Sequence, residues 1–333
     1  MILNSIADKI SKHRTFLMGI AILWIVIFHT MIDFHNIVLN FIRDIGDCGV
    51  DIFLFLSGFG IYYSLKKNDT YSFYKKRLKR IFIPYIPLLL IWCSAIAFFS
   101  NISIYEILGN LYMIGIWVGL QHQYAWYIQL IILLYLIAPI IFYLFQNIKN
   151  SQKLIILLIL FFGGLSFIFF ETPIYNRAIK GLAFFIGMYF AHSNFNDEKK
   201  ESLFWSFLFF TGIIILIIIK LYVLKAFGLT YYWIARNTTY PFFIPGLCLI
   251  LSNLLSYKTD TQHPTYTIFY KVISFIGTIS LELYLIHIAI FKITYKYLTN
   301  SDALLWIIVI IICIILSILY NKAVKFITKR FFM

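Results

Sequence analysis

Long apolar runs separated by short polar segments extend along nearly the whole chain. Runs of about 18 or more apolar residues are typical of transmembrane helices. We predict ten such spans, with approximate bounds 15–33, 50–65, 82–100, 126–145, 154–170, 181–192, 202–223, 237–255, 270–292 and 303–323. Glycines interrupt one further apolar segment, 103–120, which we predict to be interfacial or re-entrant.

Composition agrees with this pattern. Of the 333 residues, 62% are hydrophobic and 13% are charged, which leaves too few polar side chains to cover a soluble domain of this size. We therefore predict an all-α polytopic membrane protein with a single domain over residues 1–333. The abundance of Ile, Phe, Tyr and Lys is typical of an AT-rich genome, which favours the cell membrane of a bacterium.

The distribution of the basic residues predicts the orientation of the chain. Lys and Arg residues number 20 in the segments on the same side as the N-terminus and 7 in those on the other side. Because cytoplasmic loops are enriched in Lys and Arg, both termini are predicted to be cytoplasmic. The net charge of +14 then reflects membrane topology, so we expect a lipid bilayer as partner and no nucleic acid. The four cysteines lack metal-ligand spacing, and no metal is predicted.

The first apolar run, TFLMGIAILWIVIFHT, contains a histidine near its end. His29 is expected about 22 Å beyond Arg14 along a helix, at 1.5 Å per residue. Asp33 follows one predicted turn later, and an imidazole beside a carboxylate is typical of a general base. The alternative is a histidine that only forms a hydrogen bond between packed helices.

The second run begins with GVDIFLFLSGFG, where Asp51 lies close to the predicted helix start. An aspartate there is either a site residue or a favourable contact with the helix dipole. Ser57 and Gly58 follow near the middle of the span. Small residues at this depth allow close helix approach, or leave room for a ligand.

The basic segment FYKKRLKRIFIPY follows the second span. Arg77 and Arg80 are three residues apart and share one helix face. Arginine binds phosphate oxygens in a bidentate manner, which indicates a phosphate site. The alternative is that the cations only anchor the topology of the chain.

The ninth predicted span contains IGTISLELYLIHIAIF. Ser280, Tyr284 and His287 have helical spacing and are predicted to share one face. Glu282 points elsewhere, and a carboxylate within the membrane requires a partner or a proton. We expect a functional role for it.

Together these segments resemble the acyltransferase family 3 membrane proteins. The similar elements are the first helix LMGIAILWIVIFH, the motif GVDIFLFLSGF, RLKR followed by IPY, the tryptophan of YAWYIQL, and SLELYLIH. They occur in the family's order and are distributed over the whole chain. One position departs from the pattern, since the family has Arg or Lys eleven residues before the histidine and this chain has Met18.

The resemblance implies an O-acyltransferase of surface glycans. The donor would be cytoplasmic acyl-CoA, most often acetyl-CoA, and the acceptor a hydroxyl of a polysaccharide or its lipid-linked precursor. The resemblance implies that His29 is the catalytic histidine, that Arg77 and Arg80 bind the donor, and that Trp126, Ser280 and Tyr284 lie at the substrate. From the residues themselves we add Asp33 or Asp51 to orient His29, with Glu282 as a further catalytic candidate. We also add Arg14, one turn before Met18, to the donor site, and Ser57 and His287 to the substrate site.

Two other functions fit a polytopic chain with buried charges. A transporter or flippase for lipid-linked sugars often contains inverted repeats or paired broken helices, and we find no such repeat in the sequence. A glycan polymerase commonly has a large outer loop, which the predicted spans do not leave. Dependence on acyl-CoA distinguishes the enzyme from the transporter, and loss of acyl groups with normal glycan chain length distinguishes it from the polymerase.

Overall fold

A computed structural model describes residues 5–30, 32–99, 102–115, 117–120, 124–148, 150–168, 173–193, 197–259, 264–297 and 303–332. These residues are almost entirely helical. The helices are α1 Ile6–Phe28, α2 Ile37–Asp44, α3 Gly49–Lys67, α4 Thr70–Phe99, α5 Ile104–Leu111, α6 Trp126–Asn147, α7 Ser151–Ile168, α8 Pro173–His192, α9 Glu198–Ile218, α10 Leu224–Thr259, α11 Pro264–Thr278, α12 Ser280–Tyr297 and α13 Ala303–Phe332. A 3₁₀ turn precedes α3, and a π-helical segment joins α9 to α10.

The described helices confirm an all-helical chain suited to a membrane. Six helical stretches are long and apolar enough to cross a bilayer, and a seventh is added if α11 and α12 count as one broken span. One of the six, Glu198–Tyr257, has 60 residues, whereas about 20 suffice for one crossing. The count of ten spans and the side of each terminus stay predictions.

The long stretch of α9 and α10 turns back on itself. Gly246 of α10 lies against Trp205 of α9, and Gly212 of α9 lies against Phe243 of α10. The residue numbers rise along one helix as they fall along the other, so the two are antiparallel neighbours. This arrangement has room for the two predicted spans 202–223 and 237–255.

The ninth predicted span is not one straight helix. α11 and α12 meet at an angle of 71°. Gly277, just before the bend, faces the backbone of Thr15 in α1. α12 begins at Ser280, directly after the bend. Ser280, Tyr284 and His287 therefore all lie on this one helix.

The helices α3 and α8 pack closely against each other. A side chain added at Gly58 would meet the backbone of Phe184, and one added at Gly187 would meet the backbone of Phe55. Small residues on both helices let the two backbones approach closely. Gly58 therefore serves close packing, one of the two roles predicted for it.

This packing predicts that Gly58→Leu lowers the thermal stability of the protein. Overpacking a tight contact costs about 1–3 kcal/mol, because the backbone of Phe184 must move away. The matched control is Gly164→Leu, since the space beside Gly164 is open. Melting in detergent, followed by size-exclusion chromatography, measures both variants. Equal melting temperatures for the two variants would contradict the packing role.

Candidate active site

His29 lies immediately after the last residue of α1. Its Nδ1 is 2.8 Å from the carbonyl oxygen of Ile25. A carbonyl oxygen only accepts hydrogen bonds, so this contact assigns the proton to Nδ1 and leaves a lone pair on Nε2. The hydroxyl of Tyr295 donates to the backbone carbonyl of His29. The contact with Ile25 thus holds the ring in a tautomer whose Nε2 can act as a base, and the contact with Tyr295 holds the backbone of His29.

His29 lines a cavity of about 500 Å³, here called the histidine cavity. Its walls come from α1, α3, α6, α8, α10 and α12 and from the residues beside them. The lining includes the aromatic side chains Phe28, Trp126, Trp233, Tyr284, Phe291 and Tyr295 and the polar side chains His29, Asp47, Arg177, Lys180, Asn237, His287 and Lys292. A concave site with aromatic walls and a few polar groups is suited to a small organic ligand.

A second histidine lies beside the first. His287 is fully buried, and its ring centroid is 5.3 Å from that of His29. Its Nδ1 is 2.9 Å from the carbonyl oxygen of Leu283, so it has the same tautomer as His29. His287, which is predicted from its sequence position to lie at the substrate, lines the histidine cavity.

Asp33 does not orient the ring of His29 in this structure, contrary to the helical spacing used to predict it. α1 ends at Phe28, so Asp33 lies in the following loop. Its carboxylate accepts hydrogen bonds from the side chain of Asn40 at 2.7 Å and from the backbone N–H of His35 at 2.8 Å. These two hydrogen bonds, chiefly that from Asn40, lower the pKa of Asp33.

Asp51 pairs with a lysine and not with His29. Its side chain is fully buried in the first turn of α3, 2.5 Å from Nζ of Lys180. Lys180 is also 3.9 Å from Asp47, which in turn is 3.1 Å from Arg236. Two acids and two bases therefore form a buried cluster beside the histidine cavity.

Sequence reasoning missed this cluster. It placed Lys180 and Arg236 just outside predicted spans, whereas both lie inside α8 and α10. Lys180 and Arg236 each come directly before an apolar run, where a cation is typical of a membrane boundary. The predicted spans 181–192 and 237–255 therefore begin one residue after them. The two aspartates could have indicated the cluster, because Asp47 and Asp51 lie in an apolar part of the sequence and buried carboxylates require cationic partners.

Arg236 also supports a wall of the histidine cavity. Its guanidinium lies 3.8 Å from the ring centroid of Trp233, a stacking and cation–π contact. The backbone carbonyl of Asp44 accepts a hydrogen bond from the same guanidinium at 2.7 Å. The ion pair with Asp47 thus fixes Arg236, and Arg236 fixes the indole that faces the cavity.

A second, smaller pocket of about 60 Å³ contains the predicted donor-site residues and is here called the arginine pocket. Arg14, Arg77 and Arg80 line it together with Met18 and Ser57. Arg14 thus reaches the region of Met18, and its Nε donates to the carbonyl oxygen of Leu56 at 3.1 Å. Among the described residues that line it there is no carboxylate, so the three guanidinium groups favour an anionic ligand.

Tyr284 lines both the histidine cavity and the arginine pocket. Its hydroxyl accepts a hydrogen bond from the backbone N–H of Tyr127 at 3.4 Å, and the two rings pack edge to face at 5.3 Å. Ser280 lines the arginine pocket, whereas Trp126 lines the histidine cavity. The predicted substrate residues are therefore distributed between two neighbouring sites.

Glu282 lines neither of these two sites. Its side chain accepts a hydrogen bond from the amide of Asn321 at 2.8 Å, which joins α12 to α13. This contact supplies the partner that a buried carboxylate requires. The functional role assigned to Glu282 from the sequence stays a prediction.

The sequence of this chain matches one known protein family. A family model described as an acyltransferase domain matches residues 16–322. The match includes every predicted site residue except Arg14. No curated protein and no solved structure gives a significant match. Because the family model covers nearly the whole chain, the protein belongs to the acyltransferase 3 family of membrane acyltransferases.

Proposed function

We propose that this protein transfers an acyl group, most simply acetyl, from cytoplasmic acyl-CoA to a hydroxyl of a surface polysaccharide or its lipid-linked precursor. It would act as a multi-pass enzyme of a bacterial cell membrane, with ten spans and both termini in the cytoplasm. The proposal extends the family assignment to a donor, an acceptor and a location.

One observation supports this proposal most directly. His29, whose Nε2 carries a lone pair, lines a cavity that shares Tyr284 as a wall with a pocket of three arginines, Arg14 from α1 and Arg77 and Arg80 from α4. The separation of His29 and Arg14 along α1 is about 22 Å at 1.5 Å per residue. Acyl-CoA is a long polyanion with its reactive thioester at one end. Arginines suit its phosphates, and the thioester would then lie towards His29.

The proposed reaction moves one proton, forms one C–O bond and breaks one C–S bond. His29 Nε2 takes the proton of the acceptor hydroxyl, and the oxygen attacks the thioester carbonyl carbon. The new C–O bond forms, the C–S bond breaks, and the CoA thiolate takes the proton back from His29. In a second route His29 Nε2 itself attacks the thioester carbonyl carbon, the C–S bond breaks and the CoA thiolate leaves, which gives a transient acyl-imidazole. The acceptor hydroxyl then attacks that acyl carbon, the C–N bond breaks to restore the imidazole, and the hydroxyl proton passes to the thiolate.

Donor binding in this proposal requires side chains to move. A volume of about 60 Å³ accommodates only a few water-sized groups. Arg80 is exposed and Arg14 and Arg77 are half-buried, so the phosphates would enter along the exposed guanidinium. The pantetheine arm would then displace the side chains around Tyr127 and Tyr284.

Transfer of label tests the proposal. Membranes that contain the wild-type protein receive acetyl-CoA labelled in the acetyl group, and mass spectrometry measures label in the surface glycan. We expect label with wild type and none with His29→Ala. A transporter or flippase would move glycan across the membrane without consuming acetyl-CoA, and that result would reject the proposal.

A second test addresses the arginine pocket. The double variant Arg77→Ala/Arg80→Ala is expected to raise KM for acetyl-CoA about tenfold or more, because each charge-assisted hydrogen bond contributes about 1.5–3 kcal/mol. Steady-state kinetics with varied acetyl-CoA measure it.

The matched control is Lys75→Ala/Lys76→Ala, which removes the same charge from exposed neighbours outside the pocket lining. If KM rises equally in both double variants, Arg77 and Arg80 have no specific role in donor binding, and the basic segment only anchors the topology of the chain.

A further inference from the structure

His287 lines the histidine cavity and has an unused hydrogen-bond acceptor, Nε2, which is buried and which a ligand reaches by a small shift of the surrounding side chains. Because its Nδ1 proton is donated to the carbonyl oxygen of Leu283, Nε2 carries only a lone pair. Among the described residues, no group donates a hydrogen bond to that nitrogen, although the side chain is fully buried. Leaving a buried acceptor unpaired is unfavourable, so a ligand that supplies a donor here is preferred.

His29 places a second acceptor of the same kind in the same cavity. Its Nδ1 proton is likewise donated to a backbone carbonyl, and the two ring centroids are 5.3 Å apart. A single hydroxyl has one proton and satisfies one lone pair. Two neighbouring lone pairs therefore fit a ligand with two neighbouring donors.

We propose that His287 binds the hydroxyl adjacent to the one that is acylated, so that the acceptor is a vicinal diol of a sugar. This inference rests on the proposed function and specifies its substrate class. The aromatic walls formed by Trp126 and Trp233 suit the apolar faces of a sugar ring. Arg236 holds the indole of Trp233 in place for such a contact.

The proton inventory is the same as in the proposed reaction. His29 takes the proton of the attacked hydroxyl, the C–O bond forms and the C–S bond breaks, and the thiolate recovers the proton. The adjacent hydroxyl keeps its own proton and donates it to Nε2 of His287 throughout. His287 is thus a positioning residue that selects the acceptor and its orientation.

This role predicts a change in how the acetyl group is partitioned. Water competes with the glycan as acceptor, so the ratio of glycan acetylation to acetyl-CoA hydrolysis reports acceptor binding. His287→Phe, which keeps the ring but removes the lone pair, is expected to lower this ratio about tenfold, as the loss of one buried hydrogen bond implies. His287→Gln, whose amide oxygen is an acceptor, is expected to recover part of the ratio.

The experiment uses membranes with their own glycan, labelled acetyl-CoA, and wild type, His287→Phe, His287→Gln and the exposed control His35→Ala. Nuclear magnetic resonance of the labelled glycan maps the acylated position, where we expect a free hydroxyl on the neighbouring carbon. Equal losses of transfer and hydrolysis in the His287 variants, an unchanged ratio, or acylation beside a carbon without a free hydroxyl would each overturn the inference. An absence of acetyl-CoA turnover in wild type would instead reject the proposed function itself.

Discussion

Replacing His29 by alanine is expected to reduce acyl transfer by a factor of about 10²–10⁴, the usual contribution of a positioned general base. The reason is geometric, because His29 lines the cavity where the acceptor is proposed to bind and its Nε2 keeps a lone pair. Steady-state transfer of acetyl label to the glycan measures the change. The folded protein should persist, since the substitution removes only a ring beside a cavity.

The control for this variant is His35→Ala. His35 lies in the loop after α1, its side chain is 87% exposed, and its Nδ1 is 3.6 Å from the carboxylate of the nearby Asp33. Retained transfer in this variant and lost transfer in His29→Ala would separate the chemistry from a general effect of removing a histidine. Substantial transfer in His29→Ala, by contrast, would remove His29 from the mechanism.

A rapid-quench experiment then distinguishes the two chemical routes. An acyl-imidazole would appear as labelled acetyl on His29 before label reaches the glycan. In the direct route the protein remains unlabelled at every time point. Both routes lose activity in His29→Ala, so only the quench decides between them.

The largest effect on stability is expected for Lys180→Met. Removing the ammonium leaves the carboxylate of Asp51 buried without its partner at 2.5 Å. Breaking a buried ion pair in this way typically costs about 3–5 kcal/mol, because the remaining charge is desolvated and unpaired. Thermal melting in detergent measures the loss.

Two comparisons sharpen this prediction. Lys199→Met removes an exposed lysine at the start of α9 and should melt as wild type does. The double variant Asp51→Asn/Lys180→Met removes both charges and should recover much of the lost stability. If the single and double variants melt alike, the pair is not coupled and the argument for a buried ion pair is wrong.

The helical class could be predicted from the sequence because long apolar runs have few other solutions in a membrane. The positions of His29, Arg77 and Arg80 could be predicted too, since each depends on spacing within one helix. The position of Asp33 could not be predicted, because its placement assumed that the first helix continues past Phe28, where α1 ends. Local periodicity holds only as far as the helix that produces it.

Other features depend on contacts between distant segments. Lys180 and Arg236 find their carboxylates across more than a hundred residues of sequence, so neither partner is visible in a local window. No proline lies near the bend before Ser280 from which the bend could have been predicted. Gly277 signals close packing against Thr15, and only the partner helix shows where that contact lies.

A membrane enzyme must also remain an electrical insulator. The histidine cavity and the arginine pocket share Tyr284 as a wall. The ring of Tyr284 is in contact with those of Tyr127 and His287. In the proposed mechanism, the side chains that would move to admit the acyl chain would therefore also limit leakage of protons and ions between the two sites.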